Sequence, residues 1–127
     1  MSVDENKDAV RRAVEMFDAM EPGALEDVLS PELAAGWRET MINLPFSEHR
    51  IKITDLVADA DRVAIRLETR GVHSGEWLGV PPTGKRWTNR GMALARLDGG
   101  KIVAFEEFFD ELGHLKQLSA TITPPDG

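Results

Sequence analysis

The chain has 127 residues, a formal net charge of −7, and neither cysteine nor tyrosine. The absence of cysteine excludes disulfides, thiolate metal sites and cysteine nucleophiles, and it fits a reducing cytoplasm. The acidic balance argues against nucleic acid and anionic membranes as partners, because phosphate contacts need clustered Lys and Arg. No apolar run approaches the ~20 residues that span a bilayer, and the polar N-terminal segment does not resemble a signal peptide. We therefore expect one cytoplasmic domain over residues 1–127, with a flexible tail at 120–127.

The first third of the chain shows helical periodicity. Apolar residues recur at three- and four-residue spacing up to Met20, which predicts an amphipathic helix that Ser2 or Asp4 caps. A short second helix is expected at about residues 25–29, and residues 37–44 are compatible with a third helical segment.

From Arg50 onward the periodicity changes to two, which predicts β-strands. Asp98-Gly99-Gly100 is a strong hairpin signal, and a further turn is expected at residues 59–61. Helices followed by antiparallel strands are an α+β pattern. The predicted strands begin near Arg50, Val63, Trp87 and Ile102.

The segment Gly79-Val-Pro-Pro-Thr-Gly-Lys85 has the two glycines and the lysine of a phosphate-binding P-loop. However, Arg86 stands where a P-loop needs the Ser or Thr that binds magnesium. The two prolines also remove amide donors, and a strand rather than a helix is predicted to follow. We interpret the segment as a rigid loop between strands. The three histidines lack the spacing of metal ligands, so no metal site is expected.

The final predicted strand, residues 102–109, carries the most informative pattern. Both of its faces are largely apolar, and a carboxylate falls on each of them. A carboxyl group in apolar surroundings has a raised pKa, which suits a general acid or base near neutral pH. Glu106 and Asp110 share one face, so both could edge a pocket. Alternatively, Asp110 caps a helix over residues 111–118.

Other candidate residues are aromatic or imidazole side chains. His73 continues the apolar face of the second strand, which places it at the inner mouth of the sheet in either a structural or a functional role. Trp37, Trp77 and Trp87 offer large apolar surfaces either for a flat ligand or for packing.

Several motifs in order are similar to those of one known family. They are Gly71-Val-His73-Ser-Gly75-Glu76, the loop at 79–85, Asp98-Gly-Gly-Lys-Ile102, and Asp110-Glu-Leu-Gly113 followed by Gln117-Leu118. Over about residues 8–119 the chain resembles the SnoaL-like polyketide cyclases. The resemblance implies a cone-shaped α+β barrel, in which N-terminal helices wrap a curved antiparallel sheet around a deep apolar pocket. It also implies a homodimer.

The resemblance further implies a site. In these cyclases the aspartate of the final-strand motif acts as acid and base in an intramolecular aldol closure, with no metal or organic cofactor. That aspartate falls on Asp110, and the motif histidine falls on His73. Glu106 stands where a tryptophan is common, so we expect it to add a carboxylate to the pocket. The predicted catalytic residues are thus Asp110, His73 and Glu106, and the predicted substrate-binding residues are Phe17, Trp37, Trp87, Asn89 and Phe108.

The favoured hypothesis is a cofactor-independent cyclase or isomerase that acts on an apolar, polyketide-like small molecule and dimerises through its sheet. A second hypothesis is an epoxide hydrolase or an epoxide-opening cyclase, in which one carboxyl group activates water or a hydroxyl and the other protonates the epoxide. A third is a non-catalytic ligand-binding or dimerisation module, in which Asp110 only caps a helix.

Overall fold

A computed structural model describes residues 2–120, and all but the first residue of the tail expected at 120–127 lies outside them. The helices are α1 (Val3–Asp18), α2 (Pro31–Ile42) and α3 (Glu111–Gln117), with a 3₁₀ turn at Leu25–Asp27. The strands are β1 (Phe46–Asp59), β2 (Arg62–His73), β3 (Arg86–Asp98) and β4 (Lys101–Phe109). None of these helices has the length and apolar character needed to cross a membrane.

The four strands form one antiparallel sheet in the order β1-β2-β3-β4, which confirms the α+β prediction. The two predicted turns join β1 to β2 and β3 to β4. They use left-handed backbone at Ala60 (φ 50°), Gly99 (φ 56°) and Gly100 (φ 82°). The loop at 79–85 leads directly into β3, as expected, so no helix N-terminus follows its glycines.

The helix boundaries follow from their caps. Ser2 accepts a hydrogen bond from the Glu5 N–H at 3.1 Å and begins α1. Ser30 accepts from the Leu33 N–H at 3.4 Å, and the proline that follows it is favoured in the first turn of α2.

The prediction of a second helix at residues 25–29 is wrong. Only a 3₁₀ turn forms there, at Leu25–Asp27, because the residues after it pair with β4. The Ile102 N–H donates to the Val28 carbonyl at 2.8 Å, and the Ser30 N–H donates to the Ile102 carbonyl at 2.9 Å. These bonds make a parallel bridge between Leu29 and Ile102 at the edge of the sheet.

Helix α1 packs against the inner face of the sheet. Asp18 joins its C-terminal end to β1 by accepting hydrogen bonds from the Ile51 N–H at 2.8 Å and from the Arg50 guanidinium at 2.8 and 3.0 Å. These contacts hold the pKa of the Asp18 carboxyl below its usual value, with the Arg50 hydrogen bonds as the largest cause. The core beneath α1 consists of buried Val10, Ala13, Val14, Val63, Ile65, Leu67, Ala93, Ala95 and Ile102.

Strand β1 contains two irregularities of register against β2, one between Ser47 and Arg50 and one between Ile53 and Asp55. At the first, Glu48 takes a positive φ of 50°. An extra residue of this kind shifts the alternation of side chains by one position. Phe46 and His49 therefore both point to the inner face, although an unbroken strand would place them on opposite faces.

Candidate functional site

A cavity of about 400 Å³ lies between the inner face of the sheet and the helices. Its walls are predominantly aromatic and aliphatic, and its polar side chains are few. This is the usual composition of a site for a small organic molecule. The lining residues come from all four strands, all three helices, the segment before β1 and the loop between β2 and β3: Val14, Phe17, Trp37, Thr40, Leu44, Pro45, Phe46, His49, Ile51, Leu67, Thr69, Trp77, Trp87, Asn89, Phe105, Glu107, Phe109, Glu111 and His114.

Aromatic rings form one wall of the cavity by edge-to-face contacts. The centroid of Trp37 lies 5.8 Å from that of Phe17 on α1 and 5.2 Å from that of Phe105 on β4. All three rings line the cavity, so they give this wall a large aromatic, apolar surface. A planar apolar ligand suits such a surface.

Two carboxylates line the cavity, Glu107 at the end of β4 and Glu111 at the start of α3. Glu107 lies opposite Ala93, whose small side chain leaves space above the strand. Glu107 is an exposed residue, yet the protein atoms packed around its carboxyl desolvate it in part and raise its pKa above the usual value. A carboxyl group with a raised pKa can exchange protons closer to neutral pH.

Two histidines also face the cavity. Desolvation lowers the pKa of His49, and the nearby Asp18 carboxylate opposes that shift. Desolvation, with a further contribution from His73, lowers the pKa of His114 to about 4. At neutral pH both imidazoles are therefore uncharged, and each ring has one N–H and one bare nitrogen.

The structure places Asp110 outside the cavity. Its carboxylate accepts a hydrogen bond from the Gly113 N–H at 2.9 Å and caps α3. Asp110 directly follows the last residue of β4, and its side chain lies on the outer face of the sheet with Met92 and Phe108. The geometry is that of the helix cap that the sequence left open as the alternative.

Glu106 and Phe108 also lie on the outer face of the sheet, with Asp110 and away from the cavity. Glu106 pairs across strands with the exposed Leu94, and Phe108 is 73% exposed. The expectation that Glu106 adds a carboxylate to the pocket is therefore wrong, and so is the placement of Phe108 in the pocket wall. The cause is the strict alternation of side chains along β4, which places Phe105, Glu107 and Phe109 inward.

His73 points inward, as its parity predicts, but it is fully buried beside the loop at 79–85 and does not line the cavity. Its Nδ1 accepts a hydrogen bond from the Thr83 N–H at 3.2 Å and lies 3.0 Å from the Thr83 hydroxyl. The contacts of His73 therefore hold the loop to the end of β2.

The remaining predicted side chains do come together. Phe17, Trp37, Trp87 and Asn89 all line the cavity, as does Trp77. Their role in substrate binding stays a prediction.

Sequence reasoning missed Glu107, His49 and His114 as candidates. The signal for Glu107 was its shared parity with Phe105 and Phe109, and the signal for His114 was its four-residue spacing from the apolar Leu118, which directly follows α3. His49 carried no usable signal, because only the bulge in β1 turns it inward. Among residues 2–120, no group of three His, Asp or Glu side chains is arranged to hold a metal ion.

Comparison with known proteins places this cavity in context. The model of the family described as SnoaL-like polyketide cyclase matches residues 31–118. The aklanonic acid methyl ester cyclase DnrD of Streptomyces peucetius is 29% identical, with 94% of each chain covered. The aklanonic acid methyl ester cyclase AcmA of Streptomyces galilaeus is 32% identical over 87% of this chain and 88% of its own.

Two solved structures share the fold at lower identity. TsrD from Streptomyces laurentii superposes with a TM-score of 0.83 at 19% identity, covering 95% of this chain and 99% of its own. A SnoaL-like polyketide cyclase from Agrobacterium tumefaciens superposes with a TM-score of 0.79 at 18% identity, covering 93% and 99%. These neighbours confirm the expected cone-shaped α+β fold.

Proposed function

The chain belongs to the SnoaL-like polyketide cyclase family, and from that premise we propose that it closes a ring in a planar polyketide ester by a cofactor-independent intramolecular aldol reaction. Two relatives carry the name aklanonic acid methyl ester cyclase, which makes a ketone ester of that class the natural first substrate to test. The aromatic walls and the volume of the cavity support an apolar ligand with flat rings.

We assign the proton transfers to Glu107 rather than to Asp110. The observation that carries this assignment is that Glu107 lines the cavity and has a pKa raised by desolvation, whereas the Asp110 carboxylate caps α3 on the outer side. As a carboxylate, Glu107 removes a proton from the carbon next to a ketone. The resulting carbanion attacks a second carbonyl of the same molecule and forms the new C–C bond. The carboxylic acid then returns its proton to the new alkoxide, so the reaction is balanced within one substrate.

We propose that two copies of the chain pack through the outer faces of their sheets. The cross-strand partners Met92 and Phe108 are 57% and 73% exposed on that face, and the exposed Leu94 lies nearby. Arg66 flanks this apolar cluster on one side and Glu106 flanks it on the other. A two-fold related copy can therefore cover the apolar cluster and offer opposite charges to its rim.

The test of the catalytic assignment compares Glu107→Gln with Glu106→Gln. Both substitutions remove one carboxylate from β4, but only the first removes it from the cavity. With aklanonic acid methyl ester as the substrate, we expect Glu107→Gln to lower kcat by about 10²–10⁴-fold and Glu106→Gln to leave it within about twofold. Product formation is followed by chromatography. Equal losses in the two variants, or full turnover by Glu107→Gln, would contradict the assignment.

A further inference from the structure

His114 is held in one orientation by its neighbours. Its imidazole contacts the indoles of Trp77 and Trp87 at centroid distances of 4.2 and 4.0 Å, with interplanar angles of 37° and 34°. Phe46 stacks nearby, with its centroid 5.2 Å away. Aromatic contacts with both indoles restrict rotation of the imidazole.

Asn89 determines which imidazole nitrogen carries the proton. The Asn89 Oδ1 accepts a hydrogen bond from the Arg90 N–H at 2.8 Å, so the amide NH₂ is the end that faces His114. That NH₂ lies 3.4 Å from the Nδ1 of His114 and can only donate. Because Nδ1 accepts, the proton of the neutral ring is on Nε2.

The Nδ1 of His49, in the same cavity, has no hydrogen-bond partner among the described residues, and the same holds for two N–H donors of fixed protonation at the His114 end. They are the Nε2–H of His114 and the Nε1–H of Trp87, whose residues are 3% and 4% exposed. A buried donor without a partner destabilises the empty protein, and an acceptor oxygen on a ligand would relieve that penalty. Both residues line the cavity.

These donors are distant from Glu107 along the sheet. Trp87 and Ala93 are six residues apart on β3, about 20 Å of strand, and Glu107 lies opposite Ala93. The cavity therefore has an acid–base end at Glu107 and a donor end at Trp87 and His114. A small substrate with a single carbonyl would not reach both ends.

We propose that His114 and Trp87 form a hydrogen-bond donor site for a carbonyl oxygen at the far end of an extended, planar substrate, while its reacting carbon lies beside Glu107. Asn89 is the positioning residue, because it fixes the tautomer that makes His114 a donor. The orientation of the substrate rests on the proposed function, but binding of a carbonyl at the donor end does not require turnover.

The test uses two probes that are identical except for one group, a carbonyl oxygen in the first and CH₂ in the second. The first is 2-acetylnaphthalene, a ketone, and the second is 2-isopropenylnaphthalene, in which a CH₂ group replaces the carbonyl oxygen. Equilibrium dialysis gives Kd for each. We expect the wild-type protein to bind the ketone at least about tenfold more tightly. His114→Phe, which keeps an aromatic ring between the two indoles, should reduce that preference to less than threefold. Thr40→Val is the matched control in the same cavity, because it removes a hydroxyl that already donates to the Gly36 carbonyl, and it should retain the preference.

Three further measurements do not depend on the fold of His114→Phe. Two-bond ¹H–¹⁵N correlation spectra of the wild-type protein should show the proton of His114 on Nε2, and Trp87→Phe should also lower the ketone preference. The carbonyl ¹³C resonance of labelled 2-acetylnaphthalene should move downfield on binding. The proposal is overturned by a His114 proton on Nδ1, by equal binding of the two probes to the wild type, or by an equal loss of preference in Thr40→Val. None of these outcomes depends on whether Glu107→Gln is inactive, so failure of this site and failure of the proposed function can be told apart.

Discussion

Glu106 and Glu107 are consecutive residues whose carboxylates lie on opposite faces of β4. Glu106 lies opposite the exposed Leu94, and Glu107 lies opposite the buried Ala93. A slip of one residue between β3 and β4 would exchange the two carboxylates between the outer surface and the cavity. The chemistry of the cavity therefore depends on this register.

The pH dependence of turnover should report Glu107. As a base it must be ionised, so kcat/KM is expected to fall about tenfold for each pH unit below its pKa. Desolvation raises that pKa, which places the acid limb above the ordinary glutamate value of 4.5. The measurement is a pH–rate profile of the wild-type enzyme, with circular dichroism at each pH to separate loss of activity from unfolding. An acid limb centred at or below pH 4.5 would contradict the prediction.

Substitutions of Asp110 should affect stability and not chemistry. Asp110→Ala removes the cap of α3 and is expected to lower the free energy of unfolding by about 1 kcal/mol. Asp110→Asn keeps a capping oxygen, so both its stability and its kcat should remain close to those of the wild type. Urea unfolding and a turnover assay check the two expectations. A large loss of kcat in a stable Asp110→Asn variant would instead support the catalytic role that the sequence motif suggests.

The proposed dimer interface on the outer face of the sheet can be tested by a substitution of Phe108. Phe108→Asp places a charge in the centre of the proposed dimer interface and should raise the dimer dissociation constant by about 30-fold or more. Ile42 at the end of α2 is 82% exposed, so Ile42→Asp is a control with the same chemical change at a distant site. Sedimentation velocity distinguishes the two. Both variants dimerising like the wild type would argue against this interface.

Gly91 should tolerate no side chain. A Cβ there would lie 2.5 Å from the Cδ1 atom of Phe109 and 2.6 Å from the Phe108 carbonyl oxygen, which is backbone and cannot move aside easily. We expect Gly91→Ala to lower the free energy of unfolding by about 2 kcal/mol. Gly36→Ala on the exposed side of α2 meets nothing within 4 Å and should raise it by about 0.5–1 kcal/mol. Thermal unfolding of both variants gives the comparison. Equal changes in stability in the two variants would show that the close contacts at Gly91 do not decide the effect of a side chain there.

Local signals predicted most of the fold. The period of two, the turns at Ala60 and at Gly99-Gly100, and the serine cap of α1 all correspond to the structure. The start of α2 was not predicted, although Ser30 and the proline after it are local capping signals. The end of the preceding 3₁₀ turn was not predictable locally, because it depends on the pairing of Leu29 with Ile102, which are distant in the sequence.

The site was harder to predict than the fold, for two physical reasons. Periodicity showed that both faces of β4 are apolar, but it could not show which face meets helices and which meets solvent. The extra residue at Glu48 also shifts the alternation in β1, so His49 becomes a cavity residue without any sign in the local pattern. The family motif pointed to Asp110 as the catalytic residue. The motif contains both this helix-capping residue and residues of the cavity wall, so it did not show which of them faces the cavity.

The bridge between Leu29 and Ile102 has a consequence for the behaviour of the chain in concentrated solution. Strand β4 is a border strand of the sheet, and such strands recruit strands from other molecules through their free N–H and C=O groups. Both backbone groups of Ile102 are already bonded, to Val28 and Ser30. The beginning of β4 is therefore closed to edge-to-edge pairing, which protects an open sheet from growing into fibrous aggregates.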